Sequence, residues 1–203
     1  MRHMNRRFFT AAAFALAALP LPAMAQQLSL NEISQYLNSL TTAQSEFTQI
    51  NADGTISTGT IYIKRPLRAR FEYNPPEETL VLAATGQLAI FDAKSNTGPE
   101  QYPLARTPLN LILAKNVDLT RDGMVMGHSY DGTATTVTAQ DPEHPEYGNI
   151  QLMFTGKPVE LRQWIITDDT GQKTTVVLGE LKKVGNLSDR LFSIVQEVNQ
   201  RNR

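Results

Sequence analysis

Apolar residues recur at two different spacings along the chain, and the change from one to the other divides it into elements. Leu30, Ile33, Leu37 and Leu40 are separated by three, four and three positions, with Tyr36 beside them, which makes one stripe on a helix. Ser29 stands just before the stripe and Glu32 three residues later, a capping box in which each side chain satisfies a free N–H of the first turn. A helix is predicted from about Leu30 to Thr42, and it must lie on something apolar. From Phe47 onward the spacing is two. Asp53-Gly54 marks a hairpin between strands near Phe47–Asn51 and Thr55–Lys64. Ala69, Phe71 and Tyr73 alternate with Arg68, Arg70 and Glu72; Ile150, Leu152 and Phe154 alternate again, as do Trp164 and Ile166 against Ile165. These are half-buried strands. Further turn signals at Thr85-Gly86, Asp122-Gly123, Asp131-Gly132 and Thr170-Gly171 make the chain mainly β, an antiparallel up-and-down sheet of about ten strands in one domain.

One segment interrupts the strands. Thr107 suits a helix N-cap, Pro108 the first helical position and Asn116 a left-handed stop, so a two-turn helix is predicted between them. Leu109, Ile112 and Leu113 share one face of it and Leu111 points elsewhere. A helix this apolar is either plain core or a lid over an apolar cavity. A further helical turn is expected from Ser188, with Leu191 and Phe192 tucking the C-terminus back.

The N-terminus carries a different signal. Arg2, Arg6 and Arg7 precede an apolar run from Phe8 to Leu21 and the tripeptide Ala23-Met24-Ala25, the three-part layout of a cleavable signal peptide over residues 1–25. The remaining chain, 26–203, is expected in the periplasm as a single domain, most simply a monomer. Arg6-Arg7 leaves the general secretory and twin-arginine routes both open. Without cysteine the exported chain has no disulfide, no thiolate nucleophile and no N-terminal lipid attachment through Cys.

Composition narrows the functions further. Three of the 19 basic residues and none of the 20 acidic ones fall within residues 1–25. The exported chain is therefore mildly acidic and lacks basic clusters, a poor partner for nucleic acid. His128 and His144 sit in turn-like contexts with no partner at metal-ligand spacing. Glu77-Glu78 and Asp168-Asp169 are adjacent pairs, and neighbours on a strand point to opposite faces, so they read as the start of a strand and a hairpin turn. No catalytic, metal-binding or cofactor-binding constellation is present, and the chain is not expected to be an enzyme.

The ordered set Ile33-x-x-Tyr36-Leu37-x-x-Leu40, Phe47-Thr48-Gln49, Gly59-x-x-Tyr62-Ile63-Lys64-Arg65-Pro66, Arg70-Phe71-Glu72-Tyr73, Thr85-Gly86 with Phe91-Asp92, and Thr107-Pro108-Leu109 resembles the periplasmic outer-membrane lipoprotein carriers, the LolA family. The resemblance spans nearly all of the exported chain. It implies a curved, incompletely closed antiparallel β-barrel of about ten to eleven strands covered by short α-helices. The concave face would shelter the acyl chains of lipoproteins, received from an inner-membrane ATP-driven release complex and delivered to an outer-membrane receptor. Phe71, Tyr73, Phe91, Trp164 and Ile166 are the expected cavity wall, with Leu109, Ile112 and Leu113 filling the empty cavity from the lid. Arg65, the arginine of the Lys-Arg-Pro motif, would hold the lid shut. Two departures stand out: the small Ala69, where relatives often carry a bulky apolar residue, implies a wider or repacked mouth, and Thr85-Gly86 replaces Asp-Gly. Three other readings stay open: a module of the same fold that binds another lipid or senses lipoproteins, a carrier that also inserts its cargo, and an enzyme with polar groups clustered in the cavity.

Overall fold

The computed structural model describes residues 26–92 and 97–201; the signal-peptide segment 1–25 lies outside the described residues. The strands are β1 (Thr42–Ile50), β2 (Ile56–Lys64), β3 (Ala69–Tyr73), β4 (Leu80–Ala84), β5 (Gln87–Phe91), β6 (Glu100–Pro103), β7 (Val125–Tyr130), β8 (Ala134–Gln140), β9 (Asn149–Thr155), β10 (Glu160–Thr167), β11 (Lys173–Leu178) and β12 (Lys182–Lys183). The helices are α1 (Leu30–Ser39), α2 (Leu109–Leu113) and α3 (Ile194–Arg201). The strands form one sheet in the order β6-β5-β4-β3-β2-β1-β11-β10-β9-β8-β7, with β12 on β1. Every pairing is antiparallel. The sheet does not close, because β6 and β7 are its two ends.

The turn chemistry sets this meander. Thr85 and Gly86 both take positive φ, 49° and 78°, and Ala84 pairs with Gln87 across them, a two-residue hairpin of the type whose twist matches its strands. Asp53, Asp131 and Asp168 each turn their carboxylate back to accept backbone N–H groups two or more residues on, the local bond that favours Asp in turns. Asp168-Asp169 thus sits in the β10–β11 hairpin as expected. Glu77 and Glu78 lie in the turn before β4.

Two boundaries differ from the sequence reading. α1 stops at Ser39 and β1 starts at Thr42, because β1 pairs with β2 over nine residues, from Thr42–Lys64 to Ile50–Ile56. α2 is only five residues long. Pro108 precedes it without a side-chain cap, and Ala114 leaves it in extended backbone, so neither Thr107 nor Asn116 plays its predicted part. Thr107 instead donates its hydroxyl to Leu104 O at 2.8 Å.

The sheet buries apolar side chains on both faces. On the concave side α1, α2 and segment 114–119 cover Ile61, Phe71, Val137, Ile150, Leu152, Phe154 and Trp164. The pattern on β10 shifts between Leu161 and Gln163, and that bulge is what puts Leu161, Trp164 and Ile166 on one face. On the convex side the C-terminal segment covers the other half of the sheet: Phe192, with Leu191, Ile194 and Val198, packs on Leu80, Leu82, Ala84, Ala89 and Phe91. Ser188 caps the 3-10 turn that carries Phe192, where the helical turn was expected; α3 beyond it was not foreseen. Arg70 holds this segment through Glu197 of α3 at 3.2 Å and Leu191 O of the 3-10 turn at 3.0 Å.

Gly59 of β2 sits where β1 and β3 leave no room for a side chain. It pairs with Phe47 on one side and Tyr73 on the other, and a Cβ there would clash with Glu72 O and lie 2.8 Å from the Phe47 ring. Gly59→Ala is therefore expected to cost about 1–3 kcal/mol, as overpacking does in a close-packed core. The check is a thermal midpoint lowered by several degrees.

Candidate functional site

A cavity of about 550 Å³ opens on the concave side beside α2. Phe71 and Tyr73 of β3, Trp164 and Ile166 of β10, Val176 of β11 and Leu109 of α2 are among the residues that line it. The aromatic wall is held by edge contacts: Phe71 meets Trp164 at 6.4 Å and Phe47 at 5.8 Å, and Phe47 meets Tyr73 at 5.1 Å, all near perpendicular. Such pairs add to plain area burial and keep the rings in place. Polar lining comes from Gln49, Asp168, Asp169, Thr174 and Arg106, the last 5.5 Å above the ring of Tyr147. The arrangement combines an apolar wall with polar groups at its margin.

Of the wall and lid residues read from the sequence, Phe71, Tyr73, Leu109, Trp164 and Ile166 meet at this cavity. Phe91 does not. It pairs with Leu80 and lies on the convex face under α3, 3 % exposed, with the Arg201 guanidinium 5.1 Å from its ring. β5 carries apolar residues on both faces, and only the covering α3 decides which one Phe91 takes. Leu113 is core, 1 % exposed, and Ile112 borders a separate hollow on the far side of α2. Ala69, also buried, pairs with Ile63 and Ala83 and is not among the residues that line the cavity.

Arg65 stands where the two helices end. One guanidinium nitrogen donates to Leu37 O of α1; the other donates to Asn38 Oδ1 at 3.1 Å and to Ala114 O, just past α2, at 2.5 Å. The last carbonyls of a helix lack partners within it and carry partial negative charge, so one cation serves both ends. Burial lowers the Arg65 pKa from its ordinary value, but guanidinium stays charged in proteins. Its Nε is buried without a partner, which costs about 1–3 kcal/mol and offsets part of what the other bonds contribute. Leu67 N–H donates to Leu113 O at 2.8 Å, so the same β2–β3 connection grips α2 twice.

Sequence reasoning missed the bonds that join α1 to the segment after α2 and to β10. Asn38 donates to Val117 O at 2.8 Å and accepts from Val117 N at 2.9 Å. Ser34 accepts from Leu119 N at 3.0 Å, and the Tyr36 hydroxyl accepts from Leu161 N at 3.1 Å. Their one signal was position, since all three polar groups sit on or beside the stripe of α1.

His128 lies on β7 and not in a turn, with its Nε2 2.8 Å from Leu28 O, and His144 stacks on Tyr147. Among the described residues no group of three His, Cys, Asp or Glu side chains is placed to hold a metal.

Tyr73 donates its hydroxyl to Gln49 Oε1 at 2.7 Å, and burial pushes its pKa from the usual 10 up to about 12. The folded state thus favours the neutral phenol: its contribution is complete below the unfolded pKa and is lost as pH rises toward the folded one. The thermal midpoint is expected to fall more steeply between about pH 10 and 12 in the wild type than in Tyr73→Phe. Melting curves across that range check it.

Residues 38–195 match the family of the outer membrane lipoprotein carrier protein LolA. The outer-membrane lipoprotein carrier protein of Chromohalobacter salexigens is 24% identical over 188 residues, covering 88% of each chain. That of Azotobacter vinelandii is 24% identical over 201 residues, covering 95% of this chain and 94% of its own. Among solved structures, a LolA superfamily protein of Nitrosomonas europaea aligns over 82% of this chain and 98% of its own, at 14% identity and a TM-score of 0.44. The chain belongs to the LolA family of outer membrane lipoprotein carrier proteins, which are periplasmic and non-catalytic.

Proposed function

We propose that the concave cavity shelters acyl chains, and that the protein carries lipoproteins across the periplasm from an inner-membrane ATP-driven release complex to an outer-membrane receptor. The observation that carries this reading is an apolar cavity under a five-residue helix tied to the rest of the lid through Arg65. Removing a methylene from water gains about 0.8 kcal/mol, so one sixteen-carbon chain would gain on the order of 10 kcal/mol. A carrier that kept all of it would never release its cargo. Opening a lid held by charge-assisted bonds, at about 1.5–3 kcal/mol each, offsets part of that gain and leaves a balance the next partner can exceed.

A second reading keeps the cavity and changes the cargo: a periplasmic lipid-binding or lipoprotein-sensing module of the same fold. It is favoured by the lining itself, because Phe71, Leu109, Trp164 and Ile166 would contact only hydrocarbon, and hydrocarbon is common to all acyl lipids. Mass spectrometry of lipids extracted from the exported protein separates the two, since lipoprotein chains remain linked to cysteine and free lipids do not.

Trp164, the only tryptophan in the chain, is a built-in reporter. Palmitate brominated along its chain should quench Trp164 fluorescence saturably, whereas unbrominated palmitate should not; absence of quenching at saturating ligand would overturn the acyl-chain reading. Arg65→Leu should remain folded, with a thermal midpoint lowered by a few degrees. It should still accept lipoprotein from inner-membrane preparations but pass it on slowly. Transfer of radiolabelled lipoprotein to outer-membrane vesicles at the wild-type rate would remove Arg65 from the mechanism.

A further inference from the structure

Tyr73 and Gln49 make a polar spot in the otherwise apolar wall of the cavity. Both line it. Tyr73 is the last residue of β3 and Gln49 the last but one of β1, while Phe71 and Trp164 continue the wall beside them. The direction of the hydrogen bonds at this spot is fixed from the hairpin outside. The Asp53 carboxylate can only accept, and the Thr55 hydroxyl donates to it at 2.7 Å. Thr55 Oγ1 therefore accepts from Asn51 Nδ2 at 2.9 Å and Asn51 Oδ1 from Gln49 Nε2 at 2.6 Å. Gln49 Oε1 in turn accepts from the Tyr73 hydroxyl at 2.7 Å. The Thr55 hydroxyl and N–H hold the Asp53 carboxyl below the usual carboxylate range, so the chain keeps its direction at neutral pH. Two bonding capacities are left over where it reaches the cavity. Gln49 has a second amide hydrogen, and the Tyr73 oxygen accepts no hydrogen bond among the described residues.

We propose that Gln49 and Tyr73 together recognise the amide of an N-acyl group. Gln49 donates to its carbonyl oxygen, its N–H donates to the Tyr73 oxygen, and the acyl chain runs on along Phe71 and Trp164. This rests on the acyl-chain reading of the cavity and specifies its ligand as a chain joined to nitrogen. A fatty acid ionised at neutral pH, or an oxygen ester, has no hydrogen to offer Tyr73. Of the other lining residues, Asp168 and Asp169 as carboxylates only accept and Arg106 only donates, so none of these three matches both halves of an amide. A wholly apolar wall has the opposite preference, because the N–H of an amide is costly to take out of water unless it finds a partner.

The test compares N-methylpalmitamide with methyl palmitate, uncharged ligands that differ by one N–H in place of one oxygen, each displacing a fluorescent fatty acid from the exported protein. Wild type should prefer the amide by about tenfold, the worth of one net hydrogen bond. In Tyr73→Phe that preference should vanish or reverse. Gln49→Glu still accepts from Tyr73 but offers the ligand no N–H, so it should weaken both ligands, since both present a carbonyl; this variant carries the test if Tyr73→Phe does not melt cooperatively. Equal affinities in wild type, a preference that survives in Tyr73→Phe, or unchanged affinities in Gln49→Glu overturn the amide site and leave the acyl-chain reading standing. A wild type that binds neither ligand overturns both. Lipid extracted from the exported protein gives an independent check by mass spectrometry. An amide-linked chain supports the site whether its nitrogen belongs to a peptide or to a free lipid, and the mass tells which; extracts with no amide-linked chain overturn it.

Discussion

Two helices that could not stand alone are held over the sheet through one guanidinium. α2 spans five residues, far below the length at which a helix is stable in water, and α1 ends abruptly where β1 must begin pairing. Each therefore leaves terminal carbonyls with unused accepting capacity in the same small region, and Arg65 reaches both. The β2–β3 connection that places Arg65 also places Leu67, whose N–H takes the last carbonyl of α2. The covered concave face, the cavity beside it and the position of Leu109 all follow from that junction. Hydrophobic burial supplies most of the energy, but it is non-directional; the charged fork, rigid and planar, is what gives the cover a defined seat.

Most of the sheet was legible because antiparallel strands with one buried face must alternate, and tight turns need particular residues. Asp53-Gly54, Thr85-Gly86 and Asp131-Gly132 mark real hairpins. What could not be read was decided by contacts distant in sequence. Nothing near Leu40 says that β1 will claim residues 42–46; its partner β2 does. Phe91 has an apolar neighbour on each face of β5, and α3, about a hundred residues later, draws it outward. Local pattern was a better guide to which residues are buried than to what they are buried against.

The candidate site divides the same way. Phe71, Tyr73, Trp164 and Ile166 share a face because of strand periodicity, which sequence displays. Leu109, Ile112 and Leu113 do not share one space, since a single turn of helix points successive side chains in different directions and the core takes Leu113 outright. Arg65 stood out through its resemblance to a known motif, whereas Asn38, Ser34 and Tyr36 are ordinary polar residues whose bonds exist only once segment 114–119 and β10 are folded against α1.

The open ends of the sheet have a mechanical meaning. Among the described residues β6 and β7 each keep one side free of any ladder; β6 is short, with all four residues exposed, and ends in Pro103, and β7 is irregular near Gly127. Short, irregular and proline-bearing margins discourage pairing with another chain. They also mean that, among the described residues, no row of hydrogen bonds spans the gap between them. The space the sheet encloses is therefore bounded along that gap by packed side chains and by the bonds of the cover, and not by a backbone ladder.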